Sequence, residues 1–86
     1  MSETTMRYRV ELFAGLKEHV GRGEWIHEGN ATLTARELLQ VFFDQYPALD
    51  RLRNVTRIAA NQAFCNQDAS LDPADELAFI PPVSGG

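Results

Sequence analysis

The most openly displayed reactive group in this sequence is not a side chain. It is the α-carboxylate of Gly86, at the end of Pro81-Pro82-Val83-Ser84-Gly85-Gly86. Glycine has no Cβ, so a Gly85-Gly86 end passes extended through a channel too narrow for other residues. Pro81 and Pro82 lack backbone donors and hold φ nearly fixed, so the segment does not prolong a preceding strand by pairing. Extended, the stretch from Pro81 to Gly86 reaches at most ~20 Å. That is enough to deliver a terminal carbonyl into a neighbouring molecule's pocket.

Other groups offer less. Cys65 is the single cysteine, which excludes an internal disulfide framework. With no basic cluster beside it to favour the thiolate, it reads as a small apolar residue rather than a sulfur relay. His19 and His27 fall in different elements and lack metal-ligand spacing, so no metal site is expected. Asp68, Asp72, Asp75 and Glu76 do not follow the register of a calcium loop and read as turn residues.

The bulk properties narrow the partners. Eighty-six residues build one domain with one core, expected over 1–80, followed by an extended tail over 81–86. A net charge of −4 argues against nucleic acid and anionic membranes and favours a basic protein surface as complement. No stretch has the length of a membrane span, and Met1-Ser2-Glu3-Thr4-Thr5-Met6 is unlike a signal peptide, so a cytoplasmic location is expected.

The elements that must position the tail follow from periodicity. Tyr8, Val10 and Leu12 alternate with Arg7, Arg9 and Glu11, which predicts a half-buried strand. A short helix over Phe13–Val20 is closed by Gly21 and Gly23, and Glu24–Glu28 returns as a second strand in a hairpin with the first. Thr34-Ala35-Arg36-Glu37 is a capping box that opens a long helix with Ala35, Leu38, Leu39, Phe42 and Tyr46 on one stripe, Phe43 at its border and Pro47 at its end. Ile58 and Ala60 fit a third strand, Ala63-Phe64-Cys65 a short fourth, Asp72–Asp75 a turn, and Leu77–Ile80 the last strand. A crossover through the long helix makes the first and last strands parallel neighbours. The expected fold class is α+β: a ubiquitin-like β-grasp, with a mixed sheet, one main helix across one face, and an extended C-terminal Gly-Gly tail.

Several segments carry a family resemblance spanning nearly the whole chain. They are Leu12-Phe13-Ala14-Gly15-Leu16-Lys17-Glu18, the helix start Thr34–Leu38, Ala60-Asn61-Gln62, and Asp75-Glu76-Leu77-Ala78-Phe79-Ile80 leading into the tail. Together they resemble the small, sulfur-carrying subunits of molybdopterin synthase. The strand running into Pro-Pro-Val-Ser-Gly-Gly is the specific part. The family's usual Gly-Asp-Glu turn is replaced here by Ala74-Asp75-Glu76, and Ala60 stands where a larger aliphatic is usual.

The resemblance implies that Gly86 is adenylated by a ubiquitin-activating-like adenylyltransferase that consumes ATP. A sulfur donor protein then converts it to a thiocarboxylate, which donates sulfur to a cyclic pyranopterin precursor on the large subunit, in a heterotetramer. No cofactor is expected on the chain itself, and the catalytic centre would lie mainly on the large subunit. Strand parity puts Ile80 opposite Leu77 and Phe79, with Phe13 on the same outer side and Phe64 as a third member. The resemblance assigns this patch to partner binding. Rival readings are a sulfur carrier for thiamin thiazole, a protein modifier joined to lysines, and an inert ubiquitin-like interaction module.

Overall fold

The structure, a computed structural model, describes residues 5–82. The alternating segment forms β1 (Met6–Leu12), with Tyr8, Val10 and Leu12 buried and the residues between them exposed. A seven-residue helix, α1 (Ala14–Val20), turns the chain and stops at Gly21, whose φ of 83° is the left-handed conformation that glycine adopts without strain. The chain then returns as β2 (Glu24–Gly29), antiparallel to β1.

Helix α2 (Ala35–Gln45) begins at the capping box: Thr34 Oγ1 accepts from the Glu37 amide at 3.2 Å, and Glu37 Oε1 accepts from the Thr34 amide at 2.9 Å. Two further amides at this helix start, those of Ala35 and Arg36, donate to the carbonyls of Ala69 and Gln67. All four open donors of the first turn therefore find partners in a distant loop or in the cap. Leu38, Leu39, Phe42 and Phe43 are buried; each contributes about 1.5–3 kcal/mol relative to exposure. The stripe is rotated from expectation, with Phe43 fully buried and Tyr46 only half-buried. The cause lies downstream. Instead of simply ending at Pro47, the chain forms a 3-10 helix over Pro47–Leu52, and its buried Leu49 joins the same core as Phe43.

Strand β3 (Arg57–Ala60) is followed by β4 (Ala63–Phe64) and, after a long loop, by β5 (Leu77–Ile80). The sheet order is β2-β1-β5-β3-β4, with β5 parallel to β1 and antiparallel to β3. Ile58, Leu77 and Phe79 join the face covered by α2, where Phe42 packs at 5.2 Å from Phe79 and 5.1 Å from Trp25, ring centre to ring centre. Trp25 is buried, and its indole N–H donates to Gln45 Oε1 at 3.1 Å.

Two polar devices fix the connections. The hydroxyl of fully buried Tyr8 accepts from the Leu33 amide at 3.0 Å and donates to the Leu71 carbonyl at 3.2 Å. It thereby ties the loops that precede α2 and β5 to β1. At the other end, Asn61 and Gln62 form the two-residue β3–β4 turn with φ of 55° and 71°, which calls for the left-handed geometry at both positions. Asn61 Oδ1 accepts from the Glu76 amide at 3.0 Å and its Nδ2 donates to Asp75 at 3.1 Å, so the turn is also bolted to the start of β5.

Removing the Tyr8 hydroxyl strands the Leu33 amide, so Tyr8→Phe is expected to cost about 1–3 kcal/mol. Thermal melting checks this, with a fall of roughly 4–8 °C per kcal/mol at this size. Gln62→Gly relieves a left-handed non-glycine residue and is expected to stabilise the domain by about 0.5–1 kcal/mol in urea titration.

Candidate functional site

Strand β5 sits between β1 and β3 and ends at Ile80. Pro81 is buried and Pro82 exposed, so the tail leaves the fold from the middle of the sheet rather than from an edge. Val83, Ser84, Gly85 and Gly86 lie outside the described residues.

Beside the tail's root, the sheet face opposite α2 is uncovered. Parity places Ala78 and Ile80 there, since Leu77 and Phe79 are taken up by the core. Phe13 is extended, with φ −129° and ψ 157°, and continues β1 to the level of Ile80 before α1 begins. The next residue, Ala14, has φ 50°, a left-handed strain that turns the chain directly after Phe13. On the far side Phe64 stands on β4, opposite Ala59 in the register. Phe13 is 44% exposed and Phe64 52%, large values for aromatic side chains on a sheet. With Ile80 they border a shallow depression of about 260 Å³, floored by Ala59 and Ala78. The two alanines keep the floor low so that bulky groups from outside can settle between the rims.

Phe13 and Ile80, singled out from strand parity, and Phe64 are thus brought together on one surface. The lining residues Glu11, Gln62 and Glu76 are additional, and so is Arg57, whose guanidinium carbon lies 3.7 Å from the Phe64 ring centre. Arg57 could have been found from the register: two residues before Ala59 and directly across from Ile80, it shares their outward face.

The other titratable candidates have structural duties. Burial pushes the Cys65 thiol up from its ordinary value, and its Sγ donates to the Ile58 carbonyl at 3.6 Å, which disfavours a reactive thiolate. His19 packs edge-on against Tyr46 and His27 stacks on Trp25. Asp72 and Asp75 hold the turn before β5 through backbone amides, and Asp68 pairs with Arg36. Among the described residues no cluster of three His, Cys, Asp or Glu side chains could hold a metal ion, and no helix is long and apolar enough to cross a membrane.

Known proteins share this arrangement. The ThiS family matches residues 10–86. The molybdopterin synthase sulfur carrier subunit of Chlamydomonas reinhardtii is 35% identical over 94% of this chain and 100% of its own length. Small archaeal modifier protein 1 from Methanosarcina acetivorans is 25% identical, covering 96% of this chain and 99% of that one with a TM-score of 0.73. The fold also matches a chain in the complex of subunits 1 and 2 of the molybdopterin-converting factor from Helicobacter pylori. That match is 24% identical, covers 94% and 100% of the two chains, and has a TM-score of 0.64. With a mixed β-grasp sheet, a tail rooted in its central strand and these relatives across nearly its full length, the chain belongs to the ThiS family, alongside the molybdopterin synthase sulfur carrier subunits.

Proposed function

We propose that this chain carries sulfur on its C-terminal Gly86 for molybdopterin synthase, in the biosynthesis of the molybdenum cofactor. The observation that carries the reading is the placement of an uncovered apolar face, built by Phe13, Phe64 and Ile80, at the root of the Pro81–Gly86 tail. A partner docked on that face has the tail within ~20 Å of its own surface.

The chemistry requires activation first. A carboxylate is a poor electrophile, because resonance and negative charge repel a nucleophile. A Gly86 oxygen attacks the α-phosphorus of ATP on a ubiquitin-activating-like adenylyltransferase, and pyrophosphate leaves. Sulfur at the sulfide level, released as hydrosulfide by a donor protein, attacks the acyl carbon of the resulting adenylate; AMP departs, the proton goes to solvent and a thiocarboxylate remains. Ionised at neutral pH, its sulfur attacks a carbon of the pyranopterin precursor held by the large subunit, forming a C–S bond as the C–O bond to an oxygen substituent on that carbon breaks. Hydrolysis of the acyl–sulfur bond leaves the sulfur on the precursor and returns Gly86 as a carboxylate. Two such deliveries supply the dithiolene, and a heterotetramer with two carriers suits that stoichiometry. The carrier needs no general base; its contribution is to convert an encounter in solution into a held geometry. The charge of −4 suits basic partner surfaces around the site.

Likeness to a small archaeal modifier protein supports a second reading, attachment of Gly86 to lysines. Intact mass spectrometry after incubation with ATP, a sulfur source and the activating enzyme separates the two. Exchange of one oxygen for sulfur is expected; conjugates without thiocarboxylate would favour the modifier. Adding one residue after Gly86 is expected to abolish sulfur loading while leaving the circular dichroism spectrum unchanged, and undiminished loading would overturn the mechanism. Ile80→Glu puts a charge into the docking face and is expected to weaken binding to the large subunit by about tenfold or more in calorimetry, since a central apolar residue of an interface carries about 1–2 kcal/mol or more.

A further inference from the structure

Arg57 is the odd group on the uncovered face. Arg7, Arg9, Arg36 and Arg53 each meet a carboxylate within the chain. Among the described residues Arg22, Arg51 and Arg57 have no such partner, and of these Arg57 stands in a strand of the sheet. It is exposed, lies directly across from Ile80, and rests flat against Phe64 at 3.7 Å. Stacking on a ring occupies the guanidinium's face but leaves its N–H donors, which lie in its plane, pointing outward. The contact also holds a long side chain in place before any partner arrives, so less rotamer freedom is lost on docking. The acids Glu11 and Glu76 line the same depression; Glu76 adjoins the β3–β4 turn at the start of β5, whereas Arg57 faces Ile80 at the other end of that strand. The face therefore has an apolar centre with negative charge toward the start of β5 and a positive charge beside its end.

We infer that Arg57 is a specificity-determining residue of the docking face, and that the large subunit presents a carboxylate side chain to it beside the apolar contact. This rests on the docking role given above to Phe13, Phe64 and Ile80. The acidic chain as a whole attracts basic surfaces, so an acidic group opposite Arg57 sets orientation rather than general attraction. A partner turned end for end would place like charges together at both ends, which suppresses the wrong pose. Once the partner excludes water, a fork-to-carboxylate contact becomes a charge-assisted, two-pronged hydrogen bond.

The test measures affinity between the full chain and the large subunit by calorimetry across a salt titration, for wild type, Arg57→Gln, Arg57→Lys and Ile80→Glu, each first checked by thermal melting. Arg57 is exposed, so its variants are expected to fold. Arg57→Gln is expected to raise Kd about tenfold at low salt and to flatten the salt dependence. Arg57→Lys should keep the salt dependence but recover only part of the affinity, because lysine lacks the stacked fork. Unchanged or tighter binding by Arg57→Gln, while Ile80→Glu binds poorly, overturns the inference and leaves the docking face standing. Normal binding by Ile80→Glu overturns both.

Discussion

The parallel pairing of β1 with β5 is the constraint on which the rest depends. It brings the two ends of the domain side by side at the sheet's centre, in the register Val10 to Leu77 and Leu12 to Phe79. A parallel pair cannot be joined by a tight turn; the intervening chain must cross over. Here the crossover contains α2, and its covering of one face gives Leu77 and Phe79 their core positions. Because side chains alternate along a strand, the same register commits Ala78 and Ile80 to the other face. One pairing thus builds the core and the uncovered apolar face together, and a slip of a single residue would exchange them.

The polar interactions serve that pairing. Tyr8 lies in the middle of β1, and its hydroxyl holds the segments entering α2 and approaching β5. Asn61 performs the corresponding task from the β3–β4 turn, fastening the residues just before Leu77. Between these points β5, only four residues long, needs little hydrophobic area of its own to stay in place. The surface ion pairs are a different matter. Arg7–Glu28 and Arg9–Glu24 lie on exposed strands, where such pairs contribute between zero and about 1 kcal/mol.

Much of this was legible in the sequence because it is periodic or local. The capping box at Thr34, the alternation through Tyr8, Val10 and Leu12, and the opposed faces of β5 depend only on residues a few positions apart. The burial of Phe43 was not, since it depends on a 3-10 helix whose Leu49 comes from beyond the proline that ends α2. The bonds of Tyr8 were not legible either, because they join it to positions 25 and 63 residues away. Phe13 and Ile80 could be placed by parity alone, with Phe64 added as a third apolar group. Arg57 could not, because a single arginine at a strand's start looks like any solvated charge until the register sets it beside Phe64.

The position of β5 also bears on what happens when a partner tugs the chain by its end. Force applied beyond Pro82 runs along β5, while β1 and β3 hold it on either side. The ladder bonds then lie across the direction of loading and must give way as a group, instead of peeling open one after another from an edge. The fold thus resists extraction most strongly along the axis of its last strand.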